Sequence, residues 1–107
     1  MQISSQSLEY VRLHVTATTG GQPLDPTALT IEMAFPAPGI APAGGDWKTA
    51  TWDYDTIGST IRYLAQCLVG PGGTVTLPVG AYDAYIRATS LPEVPVLRSP
   101  RQLVVAP

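Results

Sequence analysis

Apolar and polar residues alternate with a period of two in short runs along the chain, and Gly/Pro clusters separate the runs. That is the pattern of half-buried antiparallel strands. In the first run Val11, Leu13, Val15 and Ala17 fall on one face and Arg12, His14 and Thr16 on the other, as far as Gly20-Gly21. In the second, Leu29, Ile31, Met33 and Phe35 alternate with Thr30, Glu32 and Ala34. Pro36 and Pro38 stop that ladder because proline has no backbone N–H to donate. The segment that follows, PAPGIAPAGGD at 36–46, reads as a projecting, stiffened loop.

Trp47 to Tyr54 and Thr60 to Val69 read as a hairpin turning at DTIG, with Ile61, Tyr63, Ala65, Cys67 and Val69 on one face. Alternation leaves open whether Trp47 or Trp52 enters the core. Gly70-Pro71-Gly72-Gly73 predicts a tight turn into a short strand, Thr74 to Leu77. Tyr82, Ala84, Ile86 and Ala88 then face one way and Asp83, Tyr85, Arg87 and Thr89 the other. A proline-marked loop, SLPEVPVLRSP at 90–100, leads to a last strand around Gln102 to Val105.

About seven strands, with no helical spacing free of Gly or Pro, predict an all-β fold: an immunoglobulin-like β-sandwich of antiparallel strands, with a small β-barrel as the alternative. Leu77-Pro78-Val79-Gly80-Ala81-Tyr82 favours the sandwich. It resembles the Leu-x-x-Gly-x-Tyr entry to the sixth strand of immunoglobulin-like domains, where the tyrosine hydroxyl ties the preceding corner to the backbone. Cys67 is the one cysteine, so the inter-sheet disulfide of antibody domains has no counterpart, and a lone thiol in an apolar run reads as a small buried hydrophobe.

At 107 residues the chain forms one domain with one core and little room for a deep substrate cavity. Charged residues make up 13% against 45% hydrophobic, a surface suited to burial against neighbours. The net charge is -2, and the five Arg and one Lys are scattered along the sequence, so nucleic acid is not an expected partner. MQISSQSLEY lacks a signal-peptide pattern and no stretch approaches membrane-spanning length, which predicts assembly in a cytoplasm and no membrane partner.

Catalytic chemistry finds no assembled set. His14 is the one histidine and falls on an outward face. Asp53 and Asp55, with Asp46 nearby, lack the further oxygen ligands of a calcium loop and read as turn-forming aspartates. The Gly70 to Gly73 turn is not followed by Gly-Lys-Ser/Thr, and no serine sits in a Gly-x-Ser-x-Gly elbow. No catalytic residue, metal or cofactor is expected. Trp47, Trp52, Tyr54, Tyr63 and Tyr85 would serve as a stacking platform for sugars if exposed together, which makes a carbohydrate- or cell-surface-binding module the alternative function.

The sequence resembles a family of small virion proteins encoded in the structural-gene regions of actinobacterial tailed phages and prophages. Ser7-Leu8-Glu9-Tyr10-Val11-Arg12, Asp25-Pro26-Thr27, Asp46-Trp47, Cys67 to Val75, Gly80-Ala81-Tyr82 and Pro92-Glu93-Val94-Pro95-Val96 carry the resemblance, over nearly the whole chain. It implies a non-enzymatic structural component of the virion, at the head-to-tail connector or as a capsid accessory or decoration protein. The implied partners are portal, adaptor, capsid or tail proteins and further copies of the chain in a ring or shell. The two proline-stiffened loops are the candidate contacts, through Pro36, Pro38, Ile40 and Pro42 in the first and Leu91, Pro92, Val94, Pro95 and Val96 in the second.

Overall fold

The period-two runs pair into two layers of strands with the apolar residues between them. The computed structural model describes residues 1–15, 18–19, 22–23, 27–89, 94 and 96–107. Its strands are β1 (Gln2–Ser4), β2 (Glu9–Val15), β3 (Thr18–Thr19), β4 (Gln22–Pro23), β5 (Thr30–Ala34), β6 (Lys48–Thr49), β7 (Thr51–Ile57), β8 (Thr60–Val69), β9 (Gly80–Tyr82), β10 (Tyr85–Thr89), β11 (Val96–Arg98) and β12 (Leu103–Ala106). A single 3₁₀ turn, Gly44–Asp46, is the only helical element among the described residues. Thr16, Ala17 and Gly20-Gly21, read as the end of the first run, lie outside them.

The back layer has the order β2-β8-β7 and the front layer the order β11-β10-β5-β6. A further ladder, β1-β12-β9, continues the front layer: only Asp83 and Ala84 separate β9 from β10, and the Ser99 N–H donates to the Ala84 carbonyl at 2.7 Å across the same break. With β9 and β10 counted as one bent strand, and β11 and β12 as another, the two layers follow the strand order of an immunoglobulin-type sandwich. β3 and β4 form a small separate ladder.

The core draws on both layers. Val11, Leu13, Val15, Ala65, Cys67 and Val69 come from the back, and Ile31, Met33, Ile86, Leu103 and Val105 from the front. Trp52 is the tryptophan that packs on this core, and its indole N–H donates to the Leu29 carbonyl at 3.0 Å. Trp47 instead lies under the Arg87 guanidinium, 4.5 Å from the ring centre, while Arg87 pairs with Glu32 at 2.8 Å.

The tyrosine corner is formed: the Tyr82 hydroxyl donates to the Pro78 carbonyl at 2.7 Å. Gly70 is required where it stands, because its φ is +137° and a Cβ there would meet the Ser7 carbonyl oxygen.

Several boundaries differ from the alternation. The run from Trp47 to Tyr54 is not one strand: β6 pairs with β5 in front and β7 with β8 behind, and the chain crosses between layers at Ala50, which is buried and bonds the Ile31 carbonyl. The hairpin turns at Gly58-Ser59, so Asp55, Thr56 and Ile57 belong to β7 and not to the turn. Thr74 to Leu77 makes only a bridge at Val75, whose N–H and carbonyl are taken by Leu68 and Gly70 of its own turn. β1, which is too short to show alternation, pairs parallel to β12, an exception to the expected antiparallel set. β11 occupies part of the stretch read as loop.

Tyr82→Phe should lower stability by about 1 kcal/mol, a fall in Tm of about 4 °C, measured by denaturant and thermal unfolding. An unchanged Tm would mean that the corner bond contributes nothing.

Candidate functional site

The first candidate loop is held from inside the protein. Pro38 and Gly39 occupy the centre of a tight turn closed by the Ile40 N–H on the Ala37 carbonyl at 3.1 Å, with Gly39 at φ +77°. Pro at the second position and a positive-φ residue at the third are the requirements of a type II turn. Beneath it lies Asp83, the only buried acidic or basic residue among those described. Its Oδ2 accepts the Gly39 N–H at 2.9 Å, its Oδ1 the Gln102 side-chain amide at a long 3.5 Å, and its own N–H donates to the Pro36 carbonyl at 3.0 Å.

Further along, the Asp46 carboxylate accepts the Ala43 N–H at 2.8 Å while the Asp46 N–H returns a bond to the Ala43 carbonyl. The loop is therefore braced at both ends of its projection, and Ile40 stands at its tip 59% exposed.

The proposed contact residues of this loop divide accordingly. Ile40 and Pro38 are exposed and Pro42 is half-buried, but Pro36 is buried and is corrected from a contact residue to an anchor, because its carbonyl serves the Asp83 bond. In the second loop Leu91, Pro92 and Pro95 lie outside the described residues, and Val94 is exposed. Val96 is also exposed, but it belongs to β11 and not to a loop.

β5 and β10 are antiparallel, with Ala34 opposite Tyr85 and Thr30 opposite Thr89. β5 and β10 therefore end at opposite ends of this ladder, and Val96, opposite Arg87, lies at its middle.

Alternation puts Asp83 on the face away from Tyr82, Ala84, Ile86 and Ala88, and the structure buries it under the loop whose Gly39 N–H it accepts. Tyr82, Ala84, Ile86 and Ala88 all lie in or against the core, so the period-two phase carries across the break from β9 into β10. No local sequence signal marks that break.

The acidic residues read as turn formers sit elsewhere. Asp53 and Asp55 lie within β7, where Asp53 faces Arg12 at 3.4 Å and Asp55 is gripped by two Arg62 nitrogens at 2.7 and 2.6 Å. Among the described residues no three His, Cys, Asp or Glu side chains converge as a metal site would need. Cys67 is buried, and that burial pushes its thiol above the ordinary value, keeping it protonated. No helix among the described residues is long and apolar enough to cross a membrane.

No protein-family model, curated protein or solved structure matches the chain.

Asp83→Ala should cost about 2 kcal/mol, the range for losing a hydrogen bond made by a charged, buried carboxyl. It should also speed amide exchange at Gly39 and Ile40 before any other part of the front layer. Equal exchange rates in the two proteins would remove Asp83 as the anchor.

The Arg62 hydrogen bonds hold Asp55 below its ordinary value of 3.8. Whatever the pair contributes is therefore present at neutral pH and lost as pH falls through that lowered value. Thermal unfolding of Asp55→Asn and the parent should differ near neutrality and converge in strong acid; parallel curves would contradict the pairing.

Proposed function

We propose that the chain is a non-enzymatic structural component of a tailed-phage virion, at the head-to-tail connector or on the capsid as an accessory or decoration protein. It is made in the host cytoplasm and becomes part of the particle through many equivalent contacts with other virion proteins and with its own copies.

The observation that carries this reading is Ile40, a large apolar side chain more than half exposed on a loop that Asp83 and Asp46 brace. A mobile loop with the same residues would lose conformational freedom on docking; a braced one loses little. The low share of charge reduces the desolvation cost of such contacts. The resemblance to phage virion proteins supplies the setting.

The carbohydrate-binding alternative draws on Tyr54, which is 67% exposed. It is weaker because Trp52 is packed on the core and Trp47 is covered by Arg87, so the two tryptophans do not offer an open stacking platform.

Purified particles from a strain that carries the gene should contain the chain in a fixed ratio to capsid or portal protein by mass spectrometry. Ile40→Asp should fold with an unchanged Tm, because the site is exposed, yet enter particles about tenfold less, the effect of losing one buried aliphatic contact. Recovery of the parent only as a soluble monomer, or normal packaging of the variant, would refute the reading.

A further inference from the structure

The sandwich is open along one side, between β2 of the back layer and the β11–β12 connection of the front layer. The opening is a cleft of about 580 Å³. Leu13 and Ile86, both core residues, line it together with Leu97, which is 53% exposed.

Around these apolar side chains stand Arg12, Arg98, Arg101 and His14. Three of the five arginines of a chain with net charge -2 thus converge on one cleft, although they are scattered in sequence. No Asp or Glu is among its described lining residues. Arg12 is already engaged, with Gln66 at 3.0 Å and Asp53 at 3.4 Å. Arg98 and Arg101 are exposed and have no ion-pair partner among the described residues.

The same cleft borders an open sheet edge. β11 ends the front ladder, and no described strand pairs on its outer side. An edge strand presents a row of backbone N–H and C=O groups to any extended chain that reaches it.

We propose that the β11 edge and this cleft together bind an extended acidic segment of a partner protein. The segment adds as a strand beside Val96 to Arg98, and its backbone completes the hydrogen bonds of the edge. Side chains of an extended chain alternate in direction, so apolar residues enter the slot over Leu13, Ile86 and Leu97 while carboxylates reach Arg98 and Arg101. Arginine's planar fork suits a carboxylate, which it holds by two parallel hydrogen bonds. The apolar lining and the strand edge favour a peptide over a nucleic-acid backbone, which offers neither an apolar side chain nor a complementary ladder. This inference is independent of the virion reading and stands if the partner is of another kind.

The test is fluorescence anisotropy of the full chain with a labelled peptide of alternating Glu and Val. The peptide should bind, and more weakly as salt rises. Arg98→Glu with Arg101→Glu should lose about tenfold or more in affinity, since hydrogen bonds to charged groups are each worth about that factor. Arg98→Gln with Arg101→Gln should lose less. Lys48→Glu, which changes a cation outside the cleft, should match the parent, and circular dichroism should show all variants folded. A peptide methylated on its backbone nitrogens should bind poorly. The proposal is overturned if the Glu-Val peptide does not bind, or if an alternating Lys-Val peptide or a single-stranded oligonucleotide binds better. It is likewise overturned if Lys48→Glu weakens binding as much as the arginine variants, or if methylation leaves affinity unchanged.

Discussion

A carboxyl group is retained inside an apolar domain only if its oxygens find donors, and Asp83 meets that condition by tying three separate parts of the chain together. Its carboxyl takes the Gly39 N–H of the projecting loop and, at longer range, the Gln102 amide ahead of β12, while its backbone N–H holds the Pro36 carbonyl at the end of β5. Asp83 sits where the front layer bends from β9 into β10. The bend, the loop and the approach to the last strand therefore share one anchor. Replacing it with an apolar residue would keep the backbone bond to Pro36 and the Pro38-Gly39 turn but would release the Gly39 N–H from the sheet.

The rest of the fold is a conventional balance of apolar burial and backbone pairing. Met33 and Leu103 in the front layer and Ala65, Cys67 and Val69 in the back are almost wholly removed from water, and the register of each ladder follows from keeping them inward. At the far end of the β7–β8 hairpin, as at the cleft beside β11, the inward face loses its cover, leaving Tyr54 and Ile61 exposed.

Much of this was readable from the residues. The inward sets of β2, β5 and β8 follow period two, and the Leu77 to Tyr82 motif marks the corner whose hydroxyl bond the structure contains. What was not readable has a common cause. Alternation tells faces apart within an unbroken strand but says nothing of where a strand bends or changes layer. It therefore misses the crossing at Ala50 and the loop that covers Asp83, and does not choose between Trp47 and Trp52. The convergence of Arg12, Arg98 and Arg101 is invisible for a related reason: it depends on two layers meeting, not on spacing along the chain.

The proposed virion role rests on a braced apolar tip and a sparsely charged surface. Its most direct test is a cryo-electron microscopy reconstruction of intact particles at a resolution that traces side chains. The expected result is the chain present as a ring or shell of symmetry-related copies, with Ile40 buried against a neighbouring subunit and the 37–43 loop in the conformation described above. Particles without the chain, or a bound chain whose Ile40 faces solvent, would contradict it.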